Sequence, residues 1–79
     1  MNTRKRKYKP GERVVLTGLP SGFLDDLPAE DQLAISSAVG KLIILKGYDE
    51  DGRAELEFEE KDGTTHLIFV NPVFVKSTR

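Results

Sequence analysis

Hydrophobic residues fall in short clusters along this chain, and glycine, proline or aspartate bounds each one. PGERVVLTG reads as a turn followed by a short strand, with Val14 and Leu16 on one face. LPSGFLDDLP is rich in turn formers yet carries Leu19, Phe23, Leu24 and Leu27. That pattern predicts a loop that packs onto a core. Pro28 then suits a first helical position, while Glu30 and Asp31 sit where the positive end of the helix dipole favours acids. Gly40 is a stop signal. A helix of about three turns is expected, with Leu33, Ala34, Ala38 and Ile35 turned inward.

KLIILKGY places four large apolar residues in a row, Leu42 to Leu45. A strand alternates its faces, so such a run calls for cover on both. One face is expected in the main core and the other beneath the preceding loop and helix. Asp51-Gly52 and Asp62-Gly63 follow, each between strand-like stretches, and Asp-Gly is a strong hairpin signal. Between them RAELEFEE alternates: Ala54, Leu56 and Phe58 face one way, Glu55, Glu57 and Glu59 the other. That predicts a half-buried antiparallel strand with a wet acidic face. TTHLIFV makes a further strand, NP a tight break, and VFVKS a last short strand. The pattern therefore predicts a mainly β fold of five strands, with one short helix in the loop between strands one and two. Strands two to four form a meander, and the first and last pair and close the sheet. In so short a chain this implies a small, partly open β-barrel.

Composition narrows the class. The chain has 79 residues, enough for one small domain, and a chain of this size buries only about 60% of its unfolded surface. It contains no cysteine, so neither a disulfide nor a thiolate metal site supports the fold. No apolar run approaches the roughly 20 residues that span a bilayer, and no h-region follows the basic start. A soluble, cytoplasmic protein without membrane contact is expected. Net charge is −1, but its distribution is uneven. Residues 1–9 carry five cations and no acid. From Pro10 onward seven basic residues face thirteen acidic ones, a net of −6. Residues 1–9 read as a basic disordered tail, and residues 10–79 as a single small β-barrel domain.

The order PGERVVL, long loop, VGKLIIL, DEDGRAELEF, HLIFVNPVFV resembles Src homology-3-like barrels of the bacterial kind. VNP looks like the short helical turn between their fourth and fifth strands. The resemblance covers about residues 9–77 and is one of topology and spacing. GERV and VGK are also similar to the small barrels of ribosome-associated KOW proteins and of the nitrile hydratase β-subunit. The chain departs from these patterns in places. Ile43 stands where KOW sequences have a second glycine. The tryptophan and ALYDY signature of proline-peptide readers are missing, which argues against PxxP recognition. The resemblance implies a fold and no particular function.

Little in the sequence points to catalysis. His66 is the only histidine, and no serine sits in a nucleophile motif. No enzymatic activity and no cofactor are expected. Setting Gly52 at the invariant glycine of a calcium-binding EF-hand loop puts Asp49 and Asp51 at ligand positions. It also puts Gly47 at the first position and Phe58 where a bidentate glutamate belongs, so no metal site is expected.

Two surfaces remain. Arg4, Lys5, Arg6, Lys7 and Lys9, with Tyr8 among them, read either as a solubilising tail or as a polyanion-binding arm with up to about five phosphate contacts. Phe23, Leu24, Phe69 and Phe74 are the candidates for binding a protein, through the apolar loop and an aromatic edge. The row Glu55, Glu57, Glu59 and Glu60 reads as a solvated face, or as a docking face for a basic partner or for the chain's own basic tail. The expected function is a non-catalytic interaction module or accessory subunit that binds another protein. The alternative is a nucleic-acid- or ribosome-associated protein that uses the basic start.

Overall fold

A computed structural model describes residues 8–78. The elements are β1 (Arg13–Leu16), α1 (Ala29–Ala38), β2 (Leu42–Tyr48), β3 (Ala54–Glu59), β4 (Thr65–Val70), a 3₁₀ turn (Pro72–Phe74) and β5 (Val75–Ser77). The five strands form one antiparallel sheet in the order β4-β3-β2-β1-β5, and α1 lies between β1 and β2 as expected. β1 pairs with β5, also as expected. That pairing leaves the sheet unclosed, with β4 and β5 as its edges.

Aspartates build both hairpins. The Asp49 carboxylate accepts the backbone N–H of Asp51 at 2.9 Å and of Arg53 at 2.8 Å, and Gly52 takes the left-handed conformation (φ 83°) that closes the turn. Asp62 accepts the Thr64 N–H at 2.9 Å in the second turn. The break at Asn71 works in the same way. Its side-chain oxygen accepts the Val73 N–H at 2.9 Å, and Pro72 opens the 3₁₀ turn.

One face of the sheet forms the core. Register sets Val14 against Ile43, Leu45 against Leu56, Leu56 against Ile68, and Ala54 against Val70, all buried. α1 closes this face with Ile35 and Ala38. Leu33, expected to turn inward, is 70% exposed. At about 100° per residue, a contact centred on Ala34, Ile35 and Ala38 turns Leu33 away from the sheet. The helix lies on its small side chains. The Gly40 N–H then donates to the Leu16 carbonyl at 2.7 Å and ties the helix exit to β1.

The loop between β1 and α1 packs as expected, with Leu19, Phe23, Leu24 and Leu27 against the core. This overturns the cover expected for the second face of β2. Loop and helix both serve the core face, so Ile43 and Leu45 are buried, Ile44 is half-buried and Leu42 is 54% exposed.

Tyr8 and Lys9, expected in the tail, both contact the folded domain. Tyr8 lies against the core, and its carbonyl accepts the Tyr48 hydroxyl at 3.2 Å. The Lys9 N–H donates to the Glu12 carboxylate at 3.0 Å. The rest of the expected basic tail, Arg4 to Lys7 included, lies outside the described residues. No helix among the described residues is long and apolar enough to cross a membrane.

Candidate functional site

The face of the sheet opposite the core, here the outer face, follows from the register. Val15 lies beside Leu42, and Ile44 lies between Arg13 and Glu57. Across β3 and β4, Glu55 faces Phe69, Glu57 faces Leu67, and Glu59 faces Thr65. A central line of three carboxylates is thus flanked by Leu42 and Ile44 on one side and by Leu67 and Phe69 on the other. Leu67 is 48% exposed and Phe69 36%. Scattered exposed apolar residues are ordinary, but here they stand in two pairs on either side of one carboxylate line.

Cations border the line. The register shifts between Leu45 and Gly47, and at this irregularity the Lys46 ammonium comes within 3.6 Å of Glu57. Both side chains stay well exposed, so the pair adds little to stability. Arg53 donates to Asp49 at 2.7 Å, reaches Asp51 at 3.8 Å, and lies over the Phe69 ring at 5.7 Å. Glu55 and Glu59 form no ion pair with a described residue. The acidic face expected from sequence is therefore amphipathic.

The four candidates for protein binding do not come together. Phe23 and Leu24 are half-buried against the core, and the Phe74 ring packs over Gly18. Phe69 points the other way. Leu42, Ile44 and Leu67 were not among the sequence candidates. Their signal was present, since Leu42 and Ile44 share one face of β2, and Leu67 and Phe69 share one face of β4.

A groove of about 850 Å³ borders the outer face and meets α1. Leu33, Leu42, Ile44 and Phe58 line it, and its rim carries both signs of charge, from Glu30 and Glu59 to Lys41 and Lys61.

His66 sits at the end of the core face. Its Nε2 lies 2.6 Å from a Glu60 oxygen, and its ring stacks on Phe58 at a 5.1 Å centroid distance. No group of three or more His, Cys, Asp or Glu among the described residues is placed to hold a metal ion.

Two aspartates titrate abnormally, and both serve turns. At Asp49, desolvation pushes the pKa up, but the Arg53 hydrogen bonds and charge outweigh it and hold the carboxyl below its usual value. At Asp62 the Thr64 backbone N–H does most to lower it. The chain matches no known protein-family model, no curated protein and no solved structure.

Proposed function

We propose that this chain is a non-catalytic interaction module or accessory subunit that binds another protein through the outer face of its sheet. The observation carrying this reading is the exposure of Leu42, Leu67 and Phe69 on one face, while Phe23, Leu24 and Phe74 pack against the core on the opposite one. Large apolar side chains grouped on a rigid, register-locked surface supply the anchors that protein interfaces use. Phe23, Leu24 and Phe74 then act as supports of the core.

The reading includes a Src homology-3-like roll of the sheet, of the bacterial kind. Chain length supports it. β4 and β5 are opposite edges, and four strand spacings would separate them by roughly 19 Å in a flat sheet. Only residues 71–74 join them, three of which are in the 3₁₀ turn and advance about 2 Å each. A link that short brings the edges towards each other and curls the sheet between them.

A nucleic-acid partner engaged by Arg4, Lys5, Arg6, Lys7 and Lys9 is the second reading, favoured by their concentrated charge. The body beyond them is acidic, and Lys46 and Arg53 are already drawn into ion pairs.

The first reading is tested by quantitative affinity capture with three full-length chains: wild type, Leu67→Lys/Phe69→Lys, and Val73→Lys. Val73 is 74% exposed but lies outside the outer face, in the 3₁₀ turn. Proteins held by wild type and Val73→Lys but released by the double variant support the reading. Equal capture by all three chains refutes it.

A further inference from the structure

Resting on that reading, we infer that the partner presents an amphipathic helix whose central line of lysine or arginine is bordered by apolar residues, and that it lies along β3. The spacing and order of side chains on the outer face carry this inference.

Glu55, Glu57 and Glu59 project from one side of a single strand, so neighbours in the line stand about 6.7 Å apart and the whole line spans about 13 Å. Along a helix, residues i, i+4 and i+8 advance about 6 Å per step and about 12 Å in all. Three cations at that spacing therefore meet three carboxylates in turn. A helix axis parallel to β3 also sets its next residues over the two neighbouring strands, each about 4.8 Å from the line. Positions i+1 and i+5 fall on one side of the cationic line, and i+3 and i+7 on the other. Those positions meet Leu42 and Ile44 on β2, and Leu67 and Phe69 on β4. Apolar side chains there bury what the sheet leaves exposed.

Charge selects the sign of the central line. Glu55 and Glu59 have no ion-pair partner among the described residues, and Lys46, beside Glu57, is exposed enough to swing aside. A partner with an apolar centre would leave these carboxylates desolvated against it, and an acidic one would be repelled. The inference differs from β-strand addition, which would use the backbone edge of β4 and leave the glutamate line in water.

The test uses the full chain, labelled for amide NMR, and two synthetic helices of about 18 residues on an alanine-rich frame. One carries lysine at i, i+4 and i+8 with leucine at i+1, i+3, i+5 and i+7. The other has glutamate in place of the lysines. The lysine helix is expected to shift the amides of residues 42–44, 55–59 and 67–69, and to bind at least tenfold more tightly than the glutamate helix. In E55K/E57K/E59K the preference reverses. The milder E55Q/E59Q, which keeps the Lys46–Glu57 pair, loses part of the affinity and retains the fold.

Equal binding of the two helices, or shifts confined to other residues, overturns the inference. So does tenfold tighter binding by R4Q/K5Q/R6Q/K7Q, which would assign the face to the chain's own basic start. If the lysine helix fails while capture still depends on Leu67 and Phe69, the face binds a partner of other chemistry. This inference then falls and the reading beneath it stands.

Discussion

Replacing Leu56 with alanine, and separately Leu67, measures how differently the two faces of one sheet are built. The residues belong to adjacent strands, and Leu56 pairs with Ile68, the residue next to Leu67. Leu56 is fully buried between Leu45 and Ile68, whereas Leu67 keeps 48% of its exposure. Truncating a fully buried leucine removes its transfer energy and leaves a cavity, a loss of about 2–5 kcal/mol. Fully burying a leucine contributes roughly 1.5–3 kcal/mol, so Leu67, about half buried, loses at most roughly 0.8–1.5 kcal/mol and leaves no enclosed void. A domain of this length has a total stability of roughly 4–12 kcal/mol, so Leu56→Ala consumes a large share of it. Urea unfolding followed by circular dichroism separates the two. With a slope of about 1–2 kcal/mol per molar, Leu56→Ala lowers the midpoint by more than about 1 M, or leaves the chain unfolded without urea. Leu67→Ala, at the same slope, shifts it by clearly less. Equal shifts would mean that the outer face is packed as tightly as the core, and the assignment of faces would be wrong.

Three further outcomes are expected. Asp49 and Asp62 have folded pKa values lowered from 3.8, so their contribution is fully present above the unfolded value and is lost as pH falls through the folded ones. Urea midpoints measured from pH 5 down to about pH 2 should therefore fall less steeply for D49N/D62N than for wild type. Gly40 has φ +89° with open space around it, so Gly40→Ala suffers backbone strain without a clash. It should lose about 1–2 kcal/mol in the same urea assay, while alanine at Gly47, where φ is not positive, should lose less. Finally, mixed-sequence single-stranded RNA should show no retention by the full chain near physiological salt. Retention with a log–log salt slope near −3.5, abolished in R4Q/K5Q/R6Q/K7Q, would favour the nucleic-acid reading.

Most of the fold was legible from short-range chemistry. Asp51-Gly52 and Asp62-Gly63 announced their hairpins because aspartate and glycine satisfy a tight turn locally. The strict alternation of β3 placed Leu56 in the core. The apolar loop pointed inward, since Phe23, Leu24 and Leu27 had to reach some core. What failed depended on where elements lie relative to one another. Both Leu33 and Ile35 were expected to turn inward, although two residues stand about 200° apart around a helix. Packing chose the alanine-rich side, which left Leu33 out. The run Leu42–Leu45 called for cover on both faces, but a run of apolar residues cannot say whether its second face is covered within the chain. Phe69 was legible as an outward residue from its alternation with Ile68 and Val70. Leu67 follows from the same alternation, but Leu42 and Ile44 join that face only through the β2–β3–β4 register.

Site-specific photo-crosslinking in cells asks whether the outer face meets a protein partner. A photo-reactive residue is placed at position 69 in one full-length chain and at position 23 in another, and covalent adducts are identified by mass. A discrete adduct from position 69 and none from position 23 is expected. Adducts from position 23 alone would contradict it and return the site to the loop.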